Sequence, residues 1–244
     1  MILSELLKLL YPPSCVSCGR SILDESALCT PCENTLIDFR GRPLIANRAL
    51  YSSFNYGEVA SDVILAAKES HDRACAKYLA ERMAISFARI ANELPRRSYV
   101  LVPIPSSRAA DRRRGFAHTK ILTSLLIKAI ESRLVRERQE SHEAWEVRTL
   151  DLLMPARRVS DQTLLTAPER ARNMSGAFSL RTDLIRRHEQ SLKPGPGIIL
   201  VDDLVTTGST MNEGMRALRS GSLEPVAMLS ACVAGRFLAN KIGR

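Results

Sequence analysis

The sequence predicts an α/β protein in which helices flank a mostly parallel sheet, with a small cysteine-rich module in front of it. Strand-like apolar runs alternate with helical stretches along most of the chain, which is the pattern of βαβ units. Two of those runs, "YVLVPIP" and "IILV", are apolar throughout, as strands covered on both faces are. Two CxxC pairs stand within the first 45 residues. We therefore expect two units, residues 1–45 and residues 46–244.

The opening stretch, "MILSELLKLLYPPS", has the leucine spacing of a short amphipathic helix. It contains Glu5 and Lys8 and lacks a small-residue cleavage site, so it does not resemble a signal peptide. The chain also has no apolar run near the roughly 20 residues needed to cross a bilayer. We expect a cytoplasmic protein without a membrane span.

The four cysteines that follow, Cys15, Cys18, Cys29 and Cys32, form a C-x2-C-x10-C-x2-C array. Two such knuckles complete a tetrahedral zinc site. Disulfides are disfavoured in a cytosolic chain, and the paired spacing argues against four unrelated thiols. Sulfur fills all four positions and leaves none for water, so we predict a structural zinc ion.

The larger unit begins with a linker and a short strand that carries Tyr51, Phe54 and Tyr56. Periodicity then predicts helices over residues 59–69 and 73–93, and a long helix within "GFAHTKILTSLLIKAIESRLVRER". The predicted strands are "YVLVPIP", "VRTLDLLM", "GAFSL", "IILV" and "PVAMLSACV", with a helix from about Ser209 between the last two. This alternation places a ligand crevice at the carboxyl ends of the strands.

The stretch "IILVDDLVTTGST" contains the residues that indicate a ligand-binding site. Asp202 and Asp203 (hereafter the acid pair) end a buried strand, and the loop Thr206–Thr210 (hereafter the hydroxyl loop) leads into a helix. Hydroxyl groups, a glycine and the N–H groups of a helix start suit a phosphate monoester, whereas adjacent carboxylates suit two vicinal hydroxyl groups. A ribose 5-phosphate meets both demands. On this interpretation Gly208→Val would place a side chain in the phosphate site.

Two other interpretations compete with this one. A Walker B strand also ends in acids, but it requires an upstream G-x-x-x-x-G-K-[ST] loop, which this chain lacks. A helix cap by Asp203 would be purely structural, yet a cap does not need two acids and a loop rich in hydroxyl groups.

The charge of the chain favours an anionic partner. It has 35 Lys and Arg residues against 26 Asp and Glu, a formal net charge of +9. Nucleic acid, a membrane surface and a polyphosphate substrate all fit this excess, and so do arginines on solvated helix faces. Aromatic residues are only 5% of the chain, which argues against a surface that stacks the bases of a single strand.

The sequence resembles a known family. The stretch "IILVDDLVTTGST" matches the signature by which type I phosphoribosyltransferases bind 5-phosphoribosyl-1-pyrophosphate (PRPP). Together with "LLKLLYPPSCVSCG", the second CxxC pair, "VPIPSSRAADRRRGF" and "DQTLLTAPERARNMSGAF", the chain is similar to the ComF family of bacterial competence and phosphoribosyltransferase-like proteins. The resemblance implies the type I phosphoribosyltransferase fold for residues 46–244, after an N-terminal helix and a zinc-ribbon-like module in residues 1–45.

The resemblance also implies roles for individual residues. The acid pair would contact the ribose hydroxyls, and the hydroxyl loop would hold the 5-phosphate through Thr206, Thr207, Gly208, Ser209 and Thr210. A turn after the strand "VLVPIP" would bind pyrophosphate, together with Mg²⁺; its residues are Ser106, Ser107 and Arg108. Arg112, Arg113 and Arg114 would neutralise leaving-group charge. We expect catalytic roles for Asp202, Asp203, Arg108 and Arg170.

The segment Arg157–Asn173 (hereafter the polar segment) occupies the place of the family's catalytic loop, and Gln162, Arg170 and Asn173 match its pattern. We expect a mobile lid over bound PRPP; the alternative is an ordered edge with Leu164 and Leu165 packed on the sheet. The family's usual R-G-F-N-Q is "RGFAHT" here. Ala117 and His118 replace its amide pair, and a histidine at a helix start is expected to be a cap or surface group.

Two functions remain open at this point. The first is phosphoribosyl transfer to an acceptor that the sequence does not identify, with release of pyrophosphate. The second is non-catalytic PRPP binding by a protein of DNA uptake and competence, or of single-stranded DNA handling. The residues expected over the acceptor, 51–70 with the zinc module, contain no motif that reads a base.

Overall fold

A computed structural model describes residues 13–22, 26–137, 146–157, 166–193 and 195–237. Its main sheet has six strands in the order β1-β2-β8-β7-β3-β4, and β5 and β6 form a separate antiparallel pair. Strand β1 is antiparallel to β2, and the other five strands of the main sheet are parallel. The strands are β1 (Leu44–Ile45), β2 (Arg48–Asn55), β3 (Ser98–Pro103), β4 (Glu146–Thr149), β5 (Leu153–Pro155), β6 (Phe178–Leu180), β7 (Gly197–Val205) and β8 (Pro225–Val233).

Helices follow most of the strands, which confirms the predicted α/β class. They are α1 (Thr30–Glu33), α2 (Glu58–Glu69), α3 (Arg73–Glu93), α4 (Arg108–Arg114), α5 (His118–Glu137), α6 (Ala167–Met174), α7 (Thr182–Arg187), α8 (Glu189–Leu192) and α9 (Ser209–Arg219). The bounds of α3 agree with the predicted ones, and α2 begins one residue earlier than predicted. Asp72 caps α3 by accepting a hydrogen bond from the N–H of Cys75 at 2.9 Å.

Several elements differ from the sequence prediction, and the short elements β1, α1, α6, α7 and α8 were not predicted at all. The stretch "VRTLDLLM" divides into β4, in the main sheet, and β5, which pairs with β6. A short helix, α4, was not predicted. Ser107 caps its start by accepting a hydrogen bond from the N–H of Ala110, and Gly115 ends it with a left-handed φ of 80°. Because α4 is polar and brief, it carries no apolar periodicity.

The two faces of the sheet bury separate apolar clusters. Helices α2, α3 and α5 pack on one face, and the apolar side of α9 packs on the other with β5 and β6. The cysteine module packs on the first face, where Cys15 and Cys29 join the same cluster as α2 and α3. Its polar contacts to α3 include Tyr78 with Glu33 and Arg82 with Asp38.

The topology defines a crevice between β3 and β7. The chain leaves β3 through α4 and α5 to reach β4 on one side, whereas it leaves β7 through α9 to reach β8 on the other side. Helices α5 and α9 lie on opposite faces. Such a reversal leaves a crevice outside the carboxyl ends of the two strands, and open α/β sheets bind ligands there. The loops that follow β3 and β7 contain the predicted site residues.

Candidate functional site

The acid pair lies within β7 near its carboxyl end. The sequence predicted that the strand would end at the acids, but the ladder with β8 continues to Val205. Each carboxylate accepts a hydrogen bond from the next backbone N–H: Asp202 Oδ1 from Asp203 at 2.9 Å, and Asp203 Oδ1 from Leu204 at 2.8 Å. Both residues are buried, at 8% and 4% exposed.

Lys68 and His118 surround Asp203. Lys68 Nζ donates to Asp203 Oδ2 at 2.7 Å, and His118 Nε2 lies 3.6 Å from the same oxygen. Sequence reasoning missed Lys68, since nothing marks it within the helical stretch that became α2. It also expected His118 at a cap or on the surface, which is wrong: His118 is 1% exposed.

The surroundings of Asp202 and Asp203 shift their pKa values in opposite directions. Burial tends to raise the pKa of Asp203, but Lys68 and His118 outweigh it and lower the pKa to about 2. Burial and the charge of Asp203 raise the pKa of Asp202 well above its usual value. Burial also lowers the pKa of His118. Separated pKa values in adjacent groups are common at functional sites.

The hydroxyl loop turns directly into α9. Gly208 has a left-handed φ of 78° and precedes the first helical residue, Ser209, whose hydroxyl lies 2.9 Å from that of Thr207. The N–H groups of the first turn of a helix favour an anion. A pocket of about 420 Å³ lies against this loop and is lined in part by Thr207, Gly208 and Ser209.

The structure gives a second reason for the sensitivity of Gly208 to substitution. A Cβ atom at this position would lie 2.8 Å from Ile45 Cδ1 and 3.2 Å from Phe237 Cζ. A larger side chain would therefore meet the apolar packing beneath the loop, and the left-handed backbone would add strain.

The turn after β3 lies beside the acid pair because β3 and β7 are neighbours in register, with Pro103 opposite Val201. Ser106 and Arg108 line a pocket of about 330 Å³ together with residues of α5 and β5, and Ser107 serves as the cap of α4.

The predicted leaving-group arginine of α4, Arg114, is largely buried. Its side chain is 4% exposed. Its guanidinium lies 3.7 Å from carboxylate oxygens of Glu69 and Asp111. Arg112 and Arg113, in contrast, belong to the exposed last turn of the helix.

The polar segment approaches the hydroxyl loop through α6. Arg170 Nη1 donates to Thr206 Oγ1 at 3.4 Å, so the structure brings this predicted residue to the predicted phosphate site. Arg157 donates to the carbonyls of Asn173 and Ser175 at the base of the segment. Residues 158–165, including Gln162, Leu164 and Leu165, lie outside the described residues.

The four cysteines converge as their spacing predicts. Their sulfur atoms all lie within 4.8 Å of one another, and the Sγ atoms of Cys18 and Cys29 are 3.6 Å apart. A tetrahedral site with Zn–S bonds of about 2.3 Å has edges of about 3.8 Å, so the residues fit zinc. Although burial opposes it, backbone N–H groups lower the pKa of Cys15 to about 6, whereas hydrogen bonds with Cys18 and Cys29 raise the pKa of Cys32 to about 12. A metal ion binds such cysteines as thiolates, so its binding releases protons.

Comparison with known proteins supports both parts of this description. A family model for a double zinc ribbon domain matches residues 6–45. Competence protein ComFC of Bacillus subtilis is 25% identical over 205 residues, which cover 84% of this chain and 70% of that protein. The chain shows ComF-like homology.

The ComF-like chain also matches part of several adenine phosphoribosyltransferases. That of Rhodopseudomonas palustris is 40% identical over 60 residues, and that of Methylorubrum extorquens is 41% identical over 58 residues. These matches cover 25% and 23% of the chain, and 30% and 32% of the two enzymes. The chain therefore spans about a third of the length of these relatives. The predicted ComF-like relationship, phosphoribosyltransferase-like fold and zinc module are confirmed. In the described parts of the chain, no helix is long and apolar enough to cross a membrane.

Proposed function

We propose that this protein binds PRPP in the crevice between β3 and β7 and transfers its phosphoribosyl group to a nitrogen nucleophile. The observation that supports this most is the contact between two parts that lie apart in the sequence. The hydroxyl loop follows the acid pair at the carboxyl end of β7, and Arg170 of the polar segment contacts this loop at Thr206. One ligand that carries a phosphate and a vicinal diol would use all three.

Each part has a role in this proposal. Asp202 and Asp203 accept hydrogen bonds from the ribose hydroxyls, and the hydroxyl loop Thr206–Thr210 binds the 5-phosphate. The turn Ser106–Arg108 binds the pyrophosphate, which Mg²⁺ accompanies. Arg170 closes over the ligand as part of a mobile lid. Residues 1–45 form the zinc module, and residues 46–244 form the phosphoribosyltransferase-like domain.

The reaction breaks the bond between C1 of the ribose and the pyrophosphate oxygen, and the electron pair leaves with pyrophosphate. The lone pair of the acceptor nitrogen forms the new bond at C1, and its proton passes to solvent. C1 gains positive charge during this step, so the protein contributes mainly by orienting the ribose and by stabilising charge on the leaving group. Mg²⁺ bound to pyrophosphate would supply further neutralisation of that charge.

A second candidate function is PRPP binding without transfer, in a protein that handles incoming single-stranded DNA. The net charge of +9 and the similarity to a competence protein of B. subtilis favour it. Electrostatic binding of DNA would weaken steeply with salt, because each neutralised phosphate releases counterions. Both functions suit the cytoplasm, where four cysteines stay reduced and free to bind metal.

Calorimetry with PRPP and Mg²⁺, followed by a pyrophosphate-release assay with a panel of bases, tests the first proposal. The double variant Asp202→Asn/Asp203→Asn is the control and should bind PRPP at least tenfold more weakly, since charge-assisted hydrogen bonds contribute about 1.5–3 kcal/mol each. Binding without pyrophosphate release from any acceptor would favour the second function. Equal affinity in the control variant would locate the ligand elsewhere.

A further inference from the structure

Lys68 is the ion-pair partner of Asp203, and no motif or comparison assigns it a role. It lies in the last turn of α2 and donates from Nζ to Asp203 Oδ2 at 2.7 Å. The side chain of Asp203 is 6% exposed and that of Lys68 is 34% exposed. We infer that Lys68 is a positioning residue that keeps Asp203 ionised and fixed, so that this carboxylate can accept hydrogen bonds from the vicinal hydroxyls of a ligand. The ligand in this inference is the one of the proposed function.

The need for a counter-ion follows from the geometry of the acid pair. Asp202 and Asp203 are adjacent and buried, and two carboxylates so placed do not both stay ionised without a compensating charge. If they share a proton, one carboxyl oxygen becomes a donor. A ligand hydroxyl that should donate to that oxygen then loses its acceptor. Lys68 decides whether Asp203 stays the ionised member of the pair and presents acceptor oxygens to the ligand.

The other groups around Asp203 do not replace Lys68. His118 approaches from α5 at 3.6 Å, and burial lowers its pKa. Cys232 approaches from β8, where burial and the charge of Asp203 raise its pKa to about 12. Arg114 lies on α4, and its ion pairs are with Glu69 and Asp111. Among the groups that the structure describes, Lys68 is therefore the cation in contact with the pair.

Neighbours of Lys68 hold the end of α2 in place. Glu69 pairs with Arg113 at 3.3 Å and lies 3.7 Å from Arg114. The ring of His71 contacts the edge of Phe116, with centroids 4.2 Å apart. The end of α2 is thus fixed to the last turn of α4 and to Phe116, which follows α4, and this places Lys68 beside Asp203.

Three variants of Lys68 and one control test the inference. Lys68→Met removes the charge, Lys68→Arg keeps it, and Lys68→Gln serves if the Met variant does not fold. Lys77→Met removes an exposed charge on α3, where Lys77 lies 3.8 Å from Glu81. The first measurement is carboxyl ¹³C NMR of aspartate in the free protein as a function of pH. In Lys68→Met, the Asp203 carboxyl should titrate at least one pH unit higher than in the wild type. The Lys68→Arg and Lys77→Met proteins should titrate as the wild type does.

The second measurement is PRPP affinity between pH 6 and pH 9. In Lys68→Met, the affinity should reach its plateau at a higher pH than in the wild type and should rise by at most tenfold per unit below it, because the pair gives up its proton less readily without the cation. In Lys68→Arg and Lys77→Met, it should follow the wild-type profile. An unchanged aspartate titration in Lys68→Met and Lys68→Gln would overturn the inference, regardless of the PRPP affinity of these variants. A shifted titration in a protein whose wild type does not bind PRPP would support the role of Lys68 and would instead refute the proposed function.

Discussion

Two conservative substitutions in the acid pair should have unequal effects on stability. Asp202→Asn and Asp203→Asn each remove one charge and nearly preserve shape. Asp203 accepts hydrogen bonds from Lys68 and from the N–H of Leu204, so its replacement leaves Lys68 without its counter-ion. For Asp202, burial and the neighbouring charge already raise the pKa, so an amide removes a charge that the folded state disfavours.

The magnitude follows from the exposure of the two partners. Removing one member of a fully buried ion pair costs about 3–5 kcal/mol, but Lys68 is 34% exposed and regains some hydration. We therefore expect Asp203→Asn to lower the free energy of unfolding by about 1.5–3 kcal/mol, in line with a charge-assisted hydrogen bond. This corresponds to a fall in Tm of roughly 3–12 °C for a chain of this size. Asp202→Asn should change stability by less than about 1 kcal/mol.

The dependence of stability on pH provides a second, independent test of the ion pair between Lys68 and Asp203. The pKa of Asp203 is lowered to about 2, against an unfolded value of about 3.9. A lowered pKa contributes stability that is present above the unfolded value and is lost as the pH falls toward the folded one. The deficit of Asp203→Asn relative to the wild type should therefore shrink between about pH 4 and pH 2.

Urea unfolding followed by circular dichroism at pH 7 and pH 3 measures both effects. Asp183→Asn is a suitable control, because Asp183 is 61% exposed and lies 3.7 Å from Arg181, and surface pairs contribute about 0–1 kcal/mol. If Asp202→Asn and Asp203→Asn destabilise equally, or if the deficit of Asp203→Asn is the same at both pH values, the assignment of Lys68 to Asp203 alone is refuted.

Three further predictions concern the metal, the hydroxyl loop and the polar segment. Purified protein should contain about one Zn²⁺ per chain by metal analysis, and Cys29→Ser should lose it; zinc retained in that variant would exclude the four-cysteine site. Gly208→Ala should lower the free energy of unfolding by about 1–3 kcal/mol in thermal melts, because its Cβ would lie 2.8 Å from Ile45; an unchanged Tm would contradict this. Amides of residues 166–174 should exchange quickly in the free protein and become protected when PRPP and Mg²⁺ are added, and Arg170→Ala should weaken PRPP binding. Slow exchange in both states would identify the segment as a fixed edge.

Much of the fold follows from local patterns in the sequence. The apolar runs that became β7 and β8 are covered on both faces, and the 3.6-residue periodicity of α3, together with Pro95 after it, was sufficient to predict its bounds. The cysteine spacing and the "DDLVTTGST" stretch also carry their chemistry within a few residues. These features are local, so they can be recognised in the sequence without knowledge of the tertiary structure.

The features that sequence reasoning missed depend on tertiary contacts. Lys68 meets Asp203 across 135 positions of the chain, and a lysine in the last turn of a helix is ordinary by itself. His118 is buried because α5 packs its first turn against α2 and β7 rather than against water. The split of "VRTLDLLM" into β4 and β5 follows from pairing with β6, since the apolar pattern of the stretch suits either sheet.

Helix α2 contacts both the cysteine module and the acid pair, so we expect zinc in the module to affect the acid pair as well. Ser17, between the first two cysteines, donates to Asp62 Oδ2 at 2.7 Å, and Lys68 lies six residues further along the same helix, about 9 Å away. Cys15 and Cys29 share an apolar cluster with the buried face of α2. Loss of zinc should therefore loosen α2 and weaken PRPP binding as well as the fold, and zinc added back to chelated protein should restore the affinity. If PRPP affinity is the same with and without zinc, the module does not brace α2, and the end of α2 is held by the contacts of Glu69 with α4 and of His71 with Phe116.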